Sequence, residues 1–115
     1  MDTATAQTRL EGMLADLDRS IAILKGEHPD PSVRGYDNHP ADAGTNLSDA
    51  DRVEAALEAM KRQRDAVAAA LERVAAGTYG ECLGCGKPVP EGRLDARPEA
   101  ARCVGCQSKY DRARR

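Results

Sequence analysis

The chain has 115 residues, a formal net charge of −2, three Tyr and neither Phe nor Trp, which excludes a large aromatic core and leaves room for one small domain, alone or with an extension. Ala, Glu, Lys, Leu and Arg supply 54 of the 115 residues, close to the half expected of long helices and coiled coils. Residues 1–51 carry ten acids and four bases, whereas residues 52–115 carry nine acids and thirteen bases. Such a split points to a partner with patches of both signs rather than to plain duplex DNA.

The opening stretch, Met1 to Arg9, has no apolar core and does not read as a secretory signal. No apolar run approaches the ~20 residues needed to cross a bilayer. A cytoplasmic protein with no membrane partner is expected, and there cysteines stay reduced and hold metal more often than disulfides.

Leu10, Leu14, Leu17, Ile21 and Leu24 alternate by four and three, which puts one apolar side chain per turn on one helix face. Lys25-Gly26 reads as a basic last turn and a C-cap glycine. A second run, Val53, Leu57, Met60, Arg64, Val67, Leu71 and Val74, keeps the alternation except at Arg64. There a flanking side chain that snorkels to water is favoured over a polar insertion that sets register. Ser48, with Asp51 three residues on, is the expected start of this helix, and Ala75-Ala76-Gly77 its end. Neither helix is stable alone, so an antiparallel hairpin over residues 1–77 is expected, with a second helix on the order of 40 Å long.

Residues 26–47 read as the loop of that hairpin, because His28-Pro29-Asp30-Pro31, Gly35, Asn38-His39-Pro40 and Gly44 break any period. A connection this long in so small a protein is usually functional or disordered. His28 and His39 sit beside prolines in a polar stretch and read as solvated rather than as ligands, since a site needs a convergent constellation.

Residues 78–115 are rich in Gly, Pro and Cys and end in a short helix after Cys106. Cys82-Leu83-Gly84-Cys85 and Cys103-Val104-Gly105-Cys106 are two CxxC knuckles, 17 residues apart. Two such pairs can direct four thiolates at one tetrahedral Zn²⁺ with Zn–S distances of ~2.3 Å. A redox CxxC requires a βαβ setting that is not legible here. The expectation is one structural zinc per chain, coupled to folding of the module. With four thiolates the metal has no open position, and no nucleophile–base pair or phosphate loop can be assembled, so an enzyme is not expected.

The stretches Gly77-Thr78-Tyr79-Gly80-Glu81-Cys82-Leu83-Gly84-Cys85-Gly86, Arg93-Leu94-Asp95-Ala96-Arg97-Pro98 and Ala101-Arg102-Cys103-Val104-Gly105-Cys106 resemble the signature of the bacterial DksA/TraR zinc-finger transcription factors. Asp37 to Asp42 resembles the loop of the shorter, Gram-positive type. The resemblance implies an all-α-dominated fold: an antiparallel coiled-coil hairpin, a four-cysteine zinc finger and a short C-terminal helix. It also implies a monomer that binds RNA polymerase through the secondary channel, with the hairpin tip near the active site and the zinc module at the rim. By that resemblance Asp42, Asp37, Ala43 and Gly44 fall at the tip, and Arg93 and Arg97 at the rim. The family's D-x-x-D-x-A tip motif keeps Asp42 here but has His39 and Gly44 at its first and last positions. The family's basic ppGpp contacts fall on Ala66, Arg97 and Gln107. Only Arg97 retains a base, which argues against a ppGpp partnership.

Two other classes compete. A nucleic-acid-binding zinc finger has the tail Lys109, Arg112, Arg114 and Arg115 in its favour, but no recognition helix or aromatic stacking face, so sequence-specific DNA binding is not expected. A structural adaptor would use the same hairpin against another helical protein.

Overall fold

The computed structural model describes residues 2–26 and 46–114. Asp37, Asp42, Ala43, Gly44, His28 and His39 lie outside the described residues. Among the described residues four helices follow one another: α1 (Thr3–Leu24), α2 (Asn46–Ala76), α3 (Glu91–Ala96) and α4 (Val104–Ala113). The only strand-like pairing among the described residues is an isolated antiparallel bridge between Glu81 and Pro88.

Helix α1 starts on a cap that the sequence pattern did not suggest. The Asp2 carboxylate accepts the backbone N–H of Thr5 at 2.7 Å and the Thr5 hydroxyl at 3.1 Å, while the Asp2 carbonyl accepts the N–H of Ala6 at 3.0 Å. An ionised side chain is thus placed where helix N–H groups have no partner of their own. These hydrogen bonds favour the charged form and hold the Asp2 carboxyl below its ordinary value of 3.8. The helix ends as expected at Lys25-Gly26, where the Gly26 N–H donates to the Ile23 carbonyl at 3.0 Å.

Helix α2 runs for 31 residues, longer than the apolar repeat alone implied. It begins two residues ahead of Ser48, which lies inside the helix and not at its cap. Asp49 in the first turn is suitably placed for the positive end of the helix dipole. The C-terminus closes through Gly77, whose φ of 79° is open to glycine without strain. The Gly77 N–H donates to Val74 at 3.2 Å and the Thr78 N–H to Arg73 at 2.9 Å. This pair of bonds is a Schellman motif.

The chain divides into two compact units, Ala15–Arg64 and Met1–Leu14 with Asp65–Arg115. In the first, the second half of α1 and the first part of α2 pack antiparallel. Ile21 is buried between them, and Arg64 Nε reaches the Asp18 carboxylate from the other helix. Arg64 therefore sits at the flank of the seam with its head group in partial contact with water, as a snorkelling side chain does. The pair bridges α1 and α2. Beyond it α1 ends at Leu24 while α2 extends further, so Val53 has no α1 residue opposite among those described. Val53 was expected in the seam, and it is 38% exposed.

In the second unit the seam is tightest. Leu10 and Val67, both expected there, are completely buried, and so are Ala6 and Ala70. Ala6 lies four residues before Leu10, whereas Ala70, three after Val67, is buried where the alternation pointed to Leu71, which is half-buried. The remainder of this unit, residues 78–114, carries α3, α4 and both CxxC knuckles.

Two outcomes follow from this packing. Leu10→Ala should cost about 2–5 kcal/mol because it opens a cavity at a fully buried position, whereas Val53→Ala should stay within roughly 0.5 kcal/mol. Urea unfolding followed by circular dichroism compares the two, and equal losses would place the core elsewhere. The Asp2 cap should also be acid-sensitive. A depressed carboxyl stabilises the fold above its unfolded pKa and loses that contribution as pH falls through the lower folded value. Protection of the Thr5 amide, taken relative to its intrinsic exchange rate at each pH, should therefore fall below about pH 4 in the native chain, and Asp2→Ala should show the lower protection already above that pH.

Candidate metal centre

The metal-ligand residues lie at the ends of rigid local turns. Ahead of the first knuckle, the Val89 N–H donates to Gly80 at 2.7 Å and the Cys82 N–H donates to Lys87 at 2.8 Å. Within it, the Gly86 N–H donates to the Cys82 carbonyl at 2.9 Å. The chain is thereby folded back tightly around Cys82 and Cys85. The second knuckle begins at Cys103, the N-cap of α4, and Cys106 lies in the first turn of that helix. Thiolates near a helix N-terminus are stabilised by the exposed N–H groups there. The Leu83 N–H donates to Ala101 at 2.9 Å and ties the two knuckles together.

A small apolar base supports them. Cys82, Val89 and Leu94 are buried as one cluster, with Tyr79, Ala100, Cys103 and Cys106 packed against it. The Tyr79 hydroxyl donates to the Pro98 carbonyl at 2.9 Å, and burial is the main reason its pKa is raised. Arg93 Nε donates to the Arg102 carbonyl at 2.8 Å, and the Arg97 N–H caps α3 on the Arg93 carbonyl at 2.7 Å. Arg93, read from the sequence as a rim residue, therefore holds the module together internally, while Arg97 is exposed.

The four sulfurs converge. All of Cys82, Cys85, Cys103 and Cys106 Sγ lie within 4.8 Å of one another, and the Cys82 and Cys103 sulfurs are 3.8 Å apart. A tetrahedron with metal–sulfur distances of ~2.3 Å has edges of ~3.8 Å, whereas a disulfide requires ~2.05 Å. The cysteines are free thiols. The Cys82 sulfur accepts the backbone N–H groups of Gly84 and Cys103, each at 3.3 Å. These bonds, with that from Cys103 the strongest, lower the Cys82 thiol to about 6. Cys106 is pushed up to about 12, chiefly by its hydrogen bonds to the Cys103 and Cys82 side chains. The two thiols are thus pushed in opposite directions by their neighbours, and a bound divalent cation would favour the thiolate form of all four.

Gly84 contributes by what it lacks. A β-carbon there would lie 2.8 Å from both the Cβ and the Sγ of Cys106, so any side chain would force the second knuckle away. The sequence shows a glycine between the cysteines of each knuckle, but nothing within 4 Å crowds Gly105. The requirement at Gly84 comes from contact across the two knuckles, which spacing alone does not reveal.

The geometry defines a helical hairpin protein with a structural four-cysteine zinc finger. Residues 77–112 match the family described as the prokaryotic dksA/traR C4-type zinc finger, so this stretch of the chain is a zinc finger of the dksA/traR type. It is 36% identical over 77 residues to general stress protein 16O of Bacillus subtilis, covering 67% of this chain and 47% of that protein. It is 37% identical over 82 residues to the RNA polymerase-binding transcription factor DksA of Caulobacter vibrioides, covering 69% and 57% respectively. The chain thus spans about half the length of these relatives. Among solved structures, transcription factor DksA2 from Pseudomonas aeruginosa superposes with a TM-score of 0.76 at 25% identity, covering 97% of this chain and 84% of that one. The DnaK suppressor protein from Agrobacterium tumefaciens does so with a TM-score of 0.65 at 29% identity, over 95% and 94%.

Purified protein should hold one zinc per chain. Gly84→Ala should weaken zinc binding by roughly 10–100-fold, the range for changes that misplace ligands without removing them, while Gly105→Ala should not. Because protons compete for the thiolates, zinc affinity should fall as pH drops. Chelator competition reads both effects, and equal affinities for the two glycine variants would remove the crowding explanation.

Proposed function

We propose that the chain is an RNA-polymerase-binding regulator of transcription in the bacterial cytoplasm, acting as a monomer through the polymerase secondary channel. The observation that carries this reading is the combination, in one chain, of a long helical hairpin with the dksA/traR zinc finger. Its likeness in fold to the two DksA-type proteins extends over nearly the whole chain. None of the described helices is long and apolar enough to cross a membrane.

The mechanism follows from the division of labour along the hairpin. A helix of 31 residues extends about 46 Å at ~1.5 Å per residue, the scale needed to reach into a channel. Zinc, bound by four thiolates, holds the module's shape and has no open position for substrate. It acts as a structural ion, which fits a regulator better than an enzyme. Asp42, with Asp37, Ala43 and Gly44 beside it, forms the tip and acts near the catalytic Mg²⁺, where one carboxylate strongly alters the local field. Arg93 and Arg97 face the rim. No ppGpp partnership is included, because Ala66 and Gln107 offer no charge where the family uses bases.

Asp42→Asn should separate binding from effect. The variant keeps the side-chain shape and removes the charge, so polymerase affinity should change by about 1 kcal/mol at most, while regulation of a sensitive promoter is lost. Competition binding and multi-round transcription on one preparation measure both. Lost binding with unchanged activity per bound molecule would make Asp42 a docking residue. Failure to bind polymerase at all, with salt-sensitive binding to duplex DNA instead, would favour the nucleic-acid-binding class.

A further inference from the structure

The C-terminal end of the zinc module carries an arrangement that neither metal binding nor the tip mechanism uses. The Arg102 guanidinium lies over the Tyr110 ring, 3.8 Å from its centroid. Arg114, one helical turn beyond Tyr110 on α4, lies 5.4 Å from the same centroid. Both distances are within the ~6 Å reach of a cation–π contact. Stacking occupies the face of a guanidinium and leaves its N–H donors at the edge available. Neither arginine is paired with a carboxylate among the described residues.

The surroundings leave these two charges uncompensated. Residues 97–115 contain six bases and two acids. Of those acids, Glu99 is buried at 8% exposure, and the Asp111 carboxylate accepts a hydrogen bond from Gln107 Nε2 at 2.9 Å. Burial lowers the pKa of Arg73, and repulsion from Arg102 lowers it further, so the positive field extends beyond the surface pair. Tyr110 holds two like charges close together, and an anion with two acceptor oxygens would relieve their repulsion.

The patch also has an apolar part. Leu83 is 58% exposed and Val104 is 63% exposed, and each follows the first cysteine of its knuckle. The Leu83 N–H donates to Ala101, the neighbour of Arg102, and Val104 follows Arg102 by two residues, so two exposed aliphatic residues are joined through the backbone to the segment that carries Arg102. A nucleic acid would use an open aromatic face, but Arg102 already lies against the Tyr110 ring. Paired guanidiniums with exposed aliphatic neighbours suit a peptide that carries acidic and apolar residues together.

We infer that Arg102, Tyr110 and Arg114 form a carboxylate-binding clamp that docks the zinc module onto an acidic protein segment, with Leu83 and Val104 covering its apolar residues. Under the function proposed above, that segment belongs to RNA polymerase, and the inference about polymerase rests on that reading. Tyr110 acts as a positioning residue by fixing the spacing of the two guanidiniums.

The test uses the full zinc-loaded chain and two double variants of equal charge change, Arg102→Gln with Arg114→Gln and Lys109→Gln with Arg112→Gln. Zinc content and circular dichroism verify that both fold. Binding to purified polymerase should weaken by about ten-fold or more in the first and by about three-fold or less in the second, since only the first removes paired donors. Independently, a hexaglutamate peptide should shift the Tyr110 ring resonances of the native chain and not those of the first double variant. Equal weakening in both variants would reduce the patch to generic charge and overturn the clamp. The absence of a peptide-induced shift overturns it as well, as does an equal or larger shift with pyrophosphate. A concentration-dependent dimer abolished by the first double variant would assign the patch to a second copy instead. If the native chain binds the peptide but no polymerase, the clamp stands and the polymerase reading fails.

Discussion

Four thiolates directed at a single point repel one another unless a cation lies among them, and the rear half of the chain is arranged around that constraint. The sulfurs of Cys82, Cys85, Cys103 and Cys106 lie within 4.8 Å of each other, a concentration of charge that water cannot adequately screen in a partly buried site. Backbone N–H groups from Gly84 and Cys103 offset part of it at Cys82. The remainder is left to zinc. Because the apolar base consists only of Val89 and Leu94 with the cysteines themselves and a few neighbours, the metal substitutes for the hydrophobic core that so short a segment cannot build.

The helices depend on a different economy. With no Phe or Trp in the chain, the helical seam is filled by Leu, Val and Ile, and it is driest at Ala6, Leu10, Val67 and Ala70. Towards the other end the seam is more open: Leu17 and Leu57 are half-buried and an ion pair between Asp18 and Arg64 bridges the helices. An exposed pair of this kind adds little stability, but it opposes sliding of one helix along the other, since each shift separates the charges.

Most of this was legible in the sequence because it is periodic. The four-three alternation located both helices, Gly26 and Gly77 located their ends, and the two CxxC pairs located the metal. What escaped depends on contacts between residues that the linear pattern does not relate. The Asp2 cap requires knowing where the helix starts, and the start of α2 at Asn46 lies ahead of any apolar repeat. Val53 continues the pattern yet is exposed, because a repeat describes one helix and burial requires a partner opposite, which no described residue of α1 supplies. Gly84 and Gly105 look equivalent in sequence, and only the approach of Cys106 distinguishes them. The bond from Arg93 to the Arg102 carbonyl escaped for a similar reason, since it joins two segments that the linear pattern does not relate.

That last bond also links metal to surface. Arg102 immediately precedes Cys103, its carbonyl is held by Arg93, and its guanidinium stacks on Tyr110 of α4. The helix that carries Tyr110 starts at the second pair of cysteines, so the ligands fix both its direction and its distance from Arg102. Loss of zinc would release Cys103 and Cys106 along with the other two ligands, and with them the geometric relation that holds two guanidiniums at a common ring. A structural ion several residues away can thus control the spacing of surface charges without touching any partner. By this route an ion with no open coordination position still governs what the protein recognises, because recognition by paired arginines depends on separation as much as on charge.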